Sequence, residues 1–258
     1  MAHPRTTSRS VVARFLSRGP LERLPKRPDD REELLDLIAW RVLPAGATSD
    51  EPALNLTLRA FTDDTAMLRR ALVDHGKLLR AADGSSYTGV VPAPELVIRD
   101  ATEEDDVEVN RITAAAYRAH FPDPTTPYLR FVSTAAAARR EEAETWVAER
   151  GGALEAAVTL TGPDTPWTDI ARPGELEFRL LCVDPLIQGT GLGRRIVQKI
   201  LDTARDRPGI HAVVLTTNNT WDGAQRFYER LGFHRAPERD WVPSDAPDVT
   251  LLVYTQEV

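Results

Sequence analysis

Leu180-Leu-Cys-Val-Asp-Pro-Leu-Ile-Gln-Gly-Thr-Gly-Leu-Gly-Arg-Arg-Ile-Val-Gln-Lys-Ile-Leu201 is the stretch whose reading decides the fold. Its apolar run ends at Asp184-Pro185, the glycine-rich segment Gln188–Gly193 follows, and Leu192, Ile196, Val197, Ile200 and Leu201 then recur at helical spacing. This order reads as strand, loop, helix. Glycines at 189, 191 and 193 let backbone N–H groups approach a ligand with no Cβ in the way. A helix start adds unpaired N–H donors and the positive end of the macrodipole. Together they form an anion site sized for a pyrophosphate. The plain alternative is a tight strand-to-helix turn that holds nothing. A triphosphate P-loop would end in Gly-Lys-Ser/Thr, whereas Gly193 is followed by Arg194-Arg195. A dinucleotide fingerprint would space its glycines Gly-x-Gly-x-x-Gly, and here the spacing is Gly-x-Gly-x-Gly.

The chain of 258 residues has room for one large or two modest domains. No apolar run approaches the roughly 20 residues of a membrane helix, and the basic start lacks the apolar core of a secretory signal. Cys182 is the one cysteine, and five scattered histidines show no metal-ligand spacing. A cytoplasmic protein without a metal is therefore expected. The net charge of −7 is unevenly spread: residues 1–90 carry 14 Lys/Arg and 12 Asp/Glu, the remainder 18 and 27. Seven basic residues and one acid fall in the first 27 positions.

Working outward toward the start, residues 1–10 read as disordered. Asp29-Asp30 is placed to cap a helix with a stripe of Leu34, Leu35, Leu37, Ile38 and Val42. Thr48–Pro52 opens a second helix and Thr62-Asp63 caps a third. Lys77–Arg80 and Ser86–Gly89 read as a hairpin around the Asp83-Gly84 turn. Three helices and a hairpin is the order of a winged-helix module. The blocks Arg14-Phe-Leu, Leu24-Pro-Lys-Arg-Pro, Phe61–Gly76 and Asp83-Gly-Ser-Ser-Tyr resemble the small bacterial family DUF2087, which implies a winged-helix-like fold and no known activity. Arg69 and Arg70 on the third helix suit a groove, and Arg5, Arg9, Arg14, Arg18, Arg23, Lys26 and Arg27 suit phosphates. The same segment carries Asp63, Asp64 and Asp74, so a solvated basic face outweighs a nucleic-acid footprint. Docking, dimerisation or covering a substrate are the plainer roles.

Val90-Val-Pro-Ala-Pro-Glu95 reads as the linker, giving domains over 1–92 and 93–258. Beyond it a strand covers Glu95–Asp100, and Thr102 with Asp105 forms a capping box before a helix through Tyr117. Residues 118–139 read as irregular. Glu142–Glu149 and Ala153–Leu160 form a strand pair, and Gly162–Gly174 is a long loop carrying Trp167. Glu175–Val183 enters the opening stretch. Ala212–Thr217 is a strand, Asp222–Leu231 a helix ended by Gly232, and Asp248–Tyr254 a final strand.

Ile98-Arg-Asp-Ala-Thr-Glu-Glu-Asp, Cys182-Val-Asp-Pro with Gln188–Gly193, and Gln225-Arg-Phe-Tyr-Glu-Arg-Leu-Gly-Phe233 resemble the GNAT superfamily of N-acetyltransferases. The resemblance covers about two thirds of the chain, residues 95–258. It implies an α/β (α+β) fold with a mixed, mostly antiparallel central sheet flanked by helices, preceded here by the winged-helix-like module. It also implies an acyltransferase that uses acetyl-CoA as cosubstrate. Pantetheine would lie along Leu181, Cys182 and Val183, and the pyrophosphate on Gln188, Gly189, Thr190, Gly191, Leu192 and Gly193. Tyr228 matches the tyrosine that acts as general acid toward the departing thiolate. Glu177 and Glu175, on one face of a strand by alternation, are the candidate bases. Cys182 reads as a buried apolar residue rather than a nucleophile. The family pattern has an asparagine where this chain has Trp221; Asn218 and Asn219, three and two residues earlier, are the substitutes, with Asn219 taken as the candidate, and the alternative is that the contact is absent.

The expected reaction is direct transfer of an acetyl group to a primary amine. A small-molecule amine leads and a protein amine is the alternative. The acidic C-terminal part, with Asp164, Asp169, Glu175 and Glu177, suits a cationic acceptor by charge. A homodimer is compatible with the chain, and no membrane partner is expected. The competing reading is a transcriptional regulator or acyl-CoA sensor that uses the N-terminal module for DNA or protein binding.

Overall fold

Strand β7, Glu175–Val183, is the element against which the larger half of the chain is assembled. In the computed structural model it takes the middle position of a seven-stranded sheet ordered β4-β5-β6-β7-β8-β10-β9. The strands are β4 Leu96–Asp100, β5 Glu144–Arg150, β6 Ala153–Thr161, β8 Ala212–Asn218, β9 His234–Arg235 and β10 Leu251–Glu257. Every residue of β6 is buried, as are the first four of β7 and of β8, because helices cover both faces. The β6–β7, β8–β10 and β9–β10 pairs are antiparallel, and β7–β8 is parallel. The expected mixed, mostly antiparallel sheet flanked by helices is the observed one. The structure describes Phe15, residues 19–121, Asp123, residues 125–244 and residues 246–258. The expected disordered start at 1–10, and Arg5, Arg9, Arg14 and Arg18, lie outside the described residues.

Two units make up the described chain: one up to Val97 together with Glu149–Leu154, the other Ile98–Ala148 with Glu155–Val258. In the first, helices α1 Pro28–Val42, α2 Glu51–Leu58 and α3 Thr65–Asp74 bury Leu34, Leu35, Ile38, Leu54, Leu58, Leu68 and Leu72. The hairpin β2 Leu78–Arg80 and β3 Ser86–Gly89 forms as expected around Asp83-Gly84. A third strand, β1 Thr48–Asp50, pairs with β3, and Asp50 then caps α2 by accepting from Ala53 N–H at 2.8 Å. The sequence assigns those three residues to the helix start, because a strand of three leaves no periodicity. Asp64, not Thr62-Asp63, caps α3; Thr62 is buried and donates to Leu21 O at 2.6 Å.

In the second unit, α4 Asp106–Arg118 follows the capping box of Thr102 and Asp105. Residues 118–139, expected to be irregular, hold one short helix, α5 Pro127–Val132, and the start of a second, α6 Ala136–Glu142. Each spans less than two turns, too short for a readable apolar stripe. Helix α7, Leu192–Asp206, buries the five apolar residues that announced it, and α8 covers Asp222–Glu229. The last strand is displaced from Asp248–Tyr254 to Leu251–Glu257, where its whole length pairs with β8.

Candidate active site

The strand-to-loop transition is built by one carboxylate. Asp184, 3% exposed, accepts from Leu186 N–H at 2.9 Å and from Arg111 of α4 at 2.5 Å. Pro185 ends the strand by removing a ladder donor. The loop then turns through Gly189 and Gly191, both at φ +82°, a conformation that costs an L-residue with a Cβ about 1–2 kcal/mol. Gly191 is the N-cap of α7 and supplies no side-chain cap, so the first N–H groups of a 15-residue helix are not closed off by the protein. A Cβ on Gly193 would stand 3.3 Å from the Phe227 ring, which explains the third glycine by packing against α8.

Beside this loop the sheet forks. The β7–β8 register runs only through Glu175↔Ala212, Leu176↔Val213 and Glu177↔Val214, while β8 stays paired with β10 to Asn218. A bulge in β7 lies at the fork, where the β6 register slips between Ala157 and Thr159. Leu180 there takes φ +51°, the one non-glycine residue at positive φ among those described. Such strain is held by surrounding structure and concentrates at functional sites. The cleft leaves backbone groups of β7 without a strand partner on the β8 side, a ready ladder for a ligand's amides.

The cleft opens into a cavity of about 610 Å³. Its wall takes Phe178–Leu181 and Val183 from β7, Ile187–Gly189 and Gly191–Arg194 from the loop, Thr216 and Thr217 from β8, and Phe227 and Tyr228 from α8. The hydroxyl of Thr217 is buried with no hydrogen-bond partner, an orphan that a bound amide would satisfy. Tyr228 stands at the fork among Phe178, Phe227 and Phe233, with ring centroids 5.2–6.0 Å away. Burial, and then the Cys182 thiol, push its phenol well above the ordinary tyrosine range, so it carries its proton at neutral pH.

Of the sequence-expected residues, the structure brings Leu181, Val183, Gln188, Gly189, Gly191, Leu192, Gly193 and Tyr228 together on this cavity. Cys182 does not line the cavity; it is 1% exposed, and burial raises its thiol to about 11. Thr190 donates back to Ile187 O at 2.8 Å and does not line the cavity. Asn219 is held by its backbone, its N–H on Thr250 O at 3.0 Å, and is also off the lining.

The two carboxylates are placed elsewhere. Glu177, 0% exposed, accepts from the N–H groups of Asp169, Ile170 and Ala171 at 3.1, 2.9 and 3.0 Å. Desolvation is the largest influence on it and raises its pKa. Glu175 is held in a two-point pair by Arg239 at 2.8 Å and accepts from Arg172 N–H at 2.9 Å. Both therefore clamp the loop 162–174 to β7, and neither lines the cavity. Trp167 completes the clamp, stacked on Phe131 at 5.7 Å and donating to Glu142 at 3.0 Å. Asp169 pairs with Arg179 at 2.5 Å. The acidic residues expected to suit a cationic acceptor do not reach the lining, which contains no Asp or Glu among the described residues.

Among the lining residues that escaped the sequence reading as site residues are Tyr117 in the last turn of α4, His120 in the turn after it, Arg179 and Thr217. Trp221, noted there only as a departure from the family pattern, also lines the cavity. Its indole stacks on the His120 ring at 4.1 Å and meets Tyr117 edge-on at 5.6 Å. These partners are about a hundred residues apart in the chain, and no local pattern joins them; aromatic density at Tyr117, Phe121, Tyr128 and Phe131 is the one available signal.

A mixed sheet thus forks beside a glycine loop and an open helix N-terminus. Residues 107–233 match the model of the Acetyltransferase (GNAT) family, and residues 20–88 match DUF2087, described as an uncharacterized protein conserved in bacteria. The C-terminal domain of this chain belongs to the GNAT family of acetyltransferases. A mycothiol acetyltransferase from Rhodococcus erythropolis is 33% identical, over 55% of this chain and 50% of its own length. The N-alpha-acetyltransferase RimI of Mycobacterium tuberculosis is 40% identical, over 24% of this chain and 37% of its own. The chain thus spans about half the length, or less, of these relatives. The PaiA N-acetyltransferase of Thermoplasma acidophilum, solved in complex with coenzyme A, shares the fold at a TM-score of 0.50 and 11% identity, covering 64% of this chain and 99% of that one. Among the described residues, no helix is long and apolar enough to cross a membrane, and no cluster of ligating side chains could hold a metal ion.

Proposed function

We propose that the C-terminal domain moves the acetyl group of acetyl-CoA directly to a primary amine, both bound at once in the forked cleft. The observation that carries this reading is the fork itself: strand edges part at Glu177 and Val214, a glycine loop lies at one end and a protonated phenol at the gap. The N–H groups at the start of α7 and of its loop would hold the pyrophosphate. The free edge of β7 at Leu181–Val183 and the Thr217 hydroxyl would hold the pantetheine amides.

The amine lone pair attacks the thioester carbonyl carbon, the C–S bond breaks, and the sulfur takes the phenolic proton of Tyr228. The proton lost by the amine goes to His120, directly or through water. This imidazole lies on the cavity lining, and burial lowers its pKa, so it is neutral and able to accept at pH 7. Glu177 and Glu175 serve this reaction as positioning residues, holding the loop 162–174 against β7. Calorimetric titration with acetyl-CoA tests the reading. Saturable binding with release of free thiol on adding amines is expected, and no binding at millimolar cosubstrate refutes it.

A further inference from the structure

One side of the cavity carries an aromatic wall assembled from three separate segments. Tyr117 from α4, His120 from the turn that follows it and Trp221 from the turn before α8 line the cavity. Phe121 and Tyr128 back them, with Phe121 at 6.3 Å from Trp221 and 5.9 Å from Tyr128, and Tyr117 at 6.0 Å from Tyr128. Trp221 is half-buried. Charge is the second observation. The lining has Arg179, Arg194 and Arg230 and, among the described residues, no carboxylate. Arg179 is already neutralised by Asp169 at 2.5 Å, so the aromatic side is apolar rather than ionic. An ammonium has only ring faces to meet there, and a polycation would bring further charges to a wall with no acid to receive them.

We propose that the acceptor is a monoamine bearing an aromatic ring a short alkyl chain from the reacting nitrogen, an arylalkylamine, with its ring against Trp221 and Tyr117. Offset or edge-on contact with these rings adds selectivity beyond area burial. The inference rests on the acetyl-transfer reading. The nitrogen would point past Tyr117 toward Tyr228 and His120, and the ring would exclude water from the reacting end.

The test compares phenethylamine, 2-cyclohexylethylamine of equal carbon count and spermidine as acceptors for the full-length chain, with thiol release as readout. Phenethylamine should exceed 2-cyclohexylethylamine in kcat/KM by about three- to tenfold, the span of an aromatic contact, and spermidine should be the poorest. Trp221→Ala should bring the phenethylamine to cyclohexylethylamine ratio to about one. Equal or better turnover of cyclohexylethylamine or spermidine overturns the proposal and leaves acetyl transfer standing. Where no amine turns over, equilibrium dialysis of phenethylamine against the protein saturated with coenzyme A decides: saturable, Trp221-dependent binding supports the proposal, and its absence overturns it. Failure to bind acetyl-CoA in calorimetry is a separate result that removes the acetyl-transfer reading itself.

Discussion

Glu177→Gln separates two roles that the sequence leaves merged. The Glu177 carboxylate is 0% exposed and receives three backbone N–H groups of the loop 162–174, with Arg179 Nε 3.7 Å from its other oxygen. A hydrogen bond to a charged acceptor contributes about 1.5–3 kcal/mol, and one between neutral partners about 0.5–1.5. Glutamine keeps the shape and weakens three bonds by about 1 kcal/mol each. Its amide also turns an N–H toward the guanidinium of Arg179. The lower cost of burying a neutral group offsets part of this, since desolvation is the largest influence on Glu177. A net loss of about 2 kcal/mol follows. For a domain of this size that is a fall in Tm of about 4–8 °C. Differential scanning calorimetry measures the loss, and thermolysin digestion reports the loosened loop. A proton acceptor in the reaction would behave otherwise: kcat would fall by about 10²–10⁴ with Tm and digestion unchanged. That second pattern would refute the positioning role and return Glu177 to the chemistry.

Tyr228→Phe keeps the ring packing against Phe178 and Phe233, so acetyl-CoA affinity should hold while kcat falls by about 10²–10⁴; equal turnover removes Tyr228 as the acid. Gly191→Val forces a β-branched residue to φ +82° at the N-cap of α7, and calorimetry should record weaker acetyl-CoA binding with the loss concentrated in affinity. His120 must be neutral to accept a proton, and its pKa is lowered, so wild-type kcat should fall only as pH drops below the ordinary imidazole value of 6.5. His120→Gln should flatten that acid limb and lower kcat by about 10²; an unaltered pH profile assigns the proton to water.

Legibility in the sequence followed the range of the interaction. Asp184-Pro185, the glycine spacing and the stripe from Leu192 to Leu201 are local signals, and each became the strand end, loop and helix they announced. The capping box at Thr102 and Asp105 was equally local, its two residues bonding each other at 3.1 and 2.8 Å. Helices α5 and α6 were lost because their six and seven residues are set by packing rather than by pattern. Strand β1 was lost because its reason to exist is β3, some forty residues away in the chain.

The sequence by itself determined the family, the glycine loop and the helix that carries Tyr228, because each rests on residue types at fixed short spacing. Only the tertiary structure decided what the carboxylates and aromatics do. Glu177 and Glu175 look alike with any free acid in a string of letters, and they become loop clamps once Asp169–Ala171 and Arg239 fold back onto β7. Trp221 reads as a departure from a pattern until α4 brings His120 and Tyr117 against it. A side chain's chemistry is set by which partners consume its charge, hydrogen bonds and faces, and those partners are chosen in space.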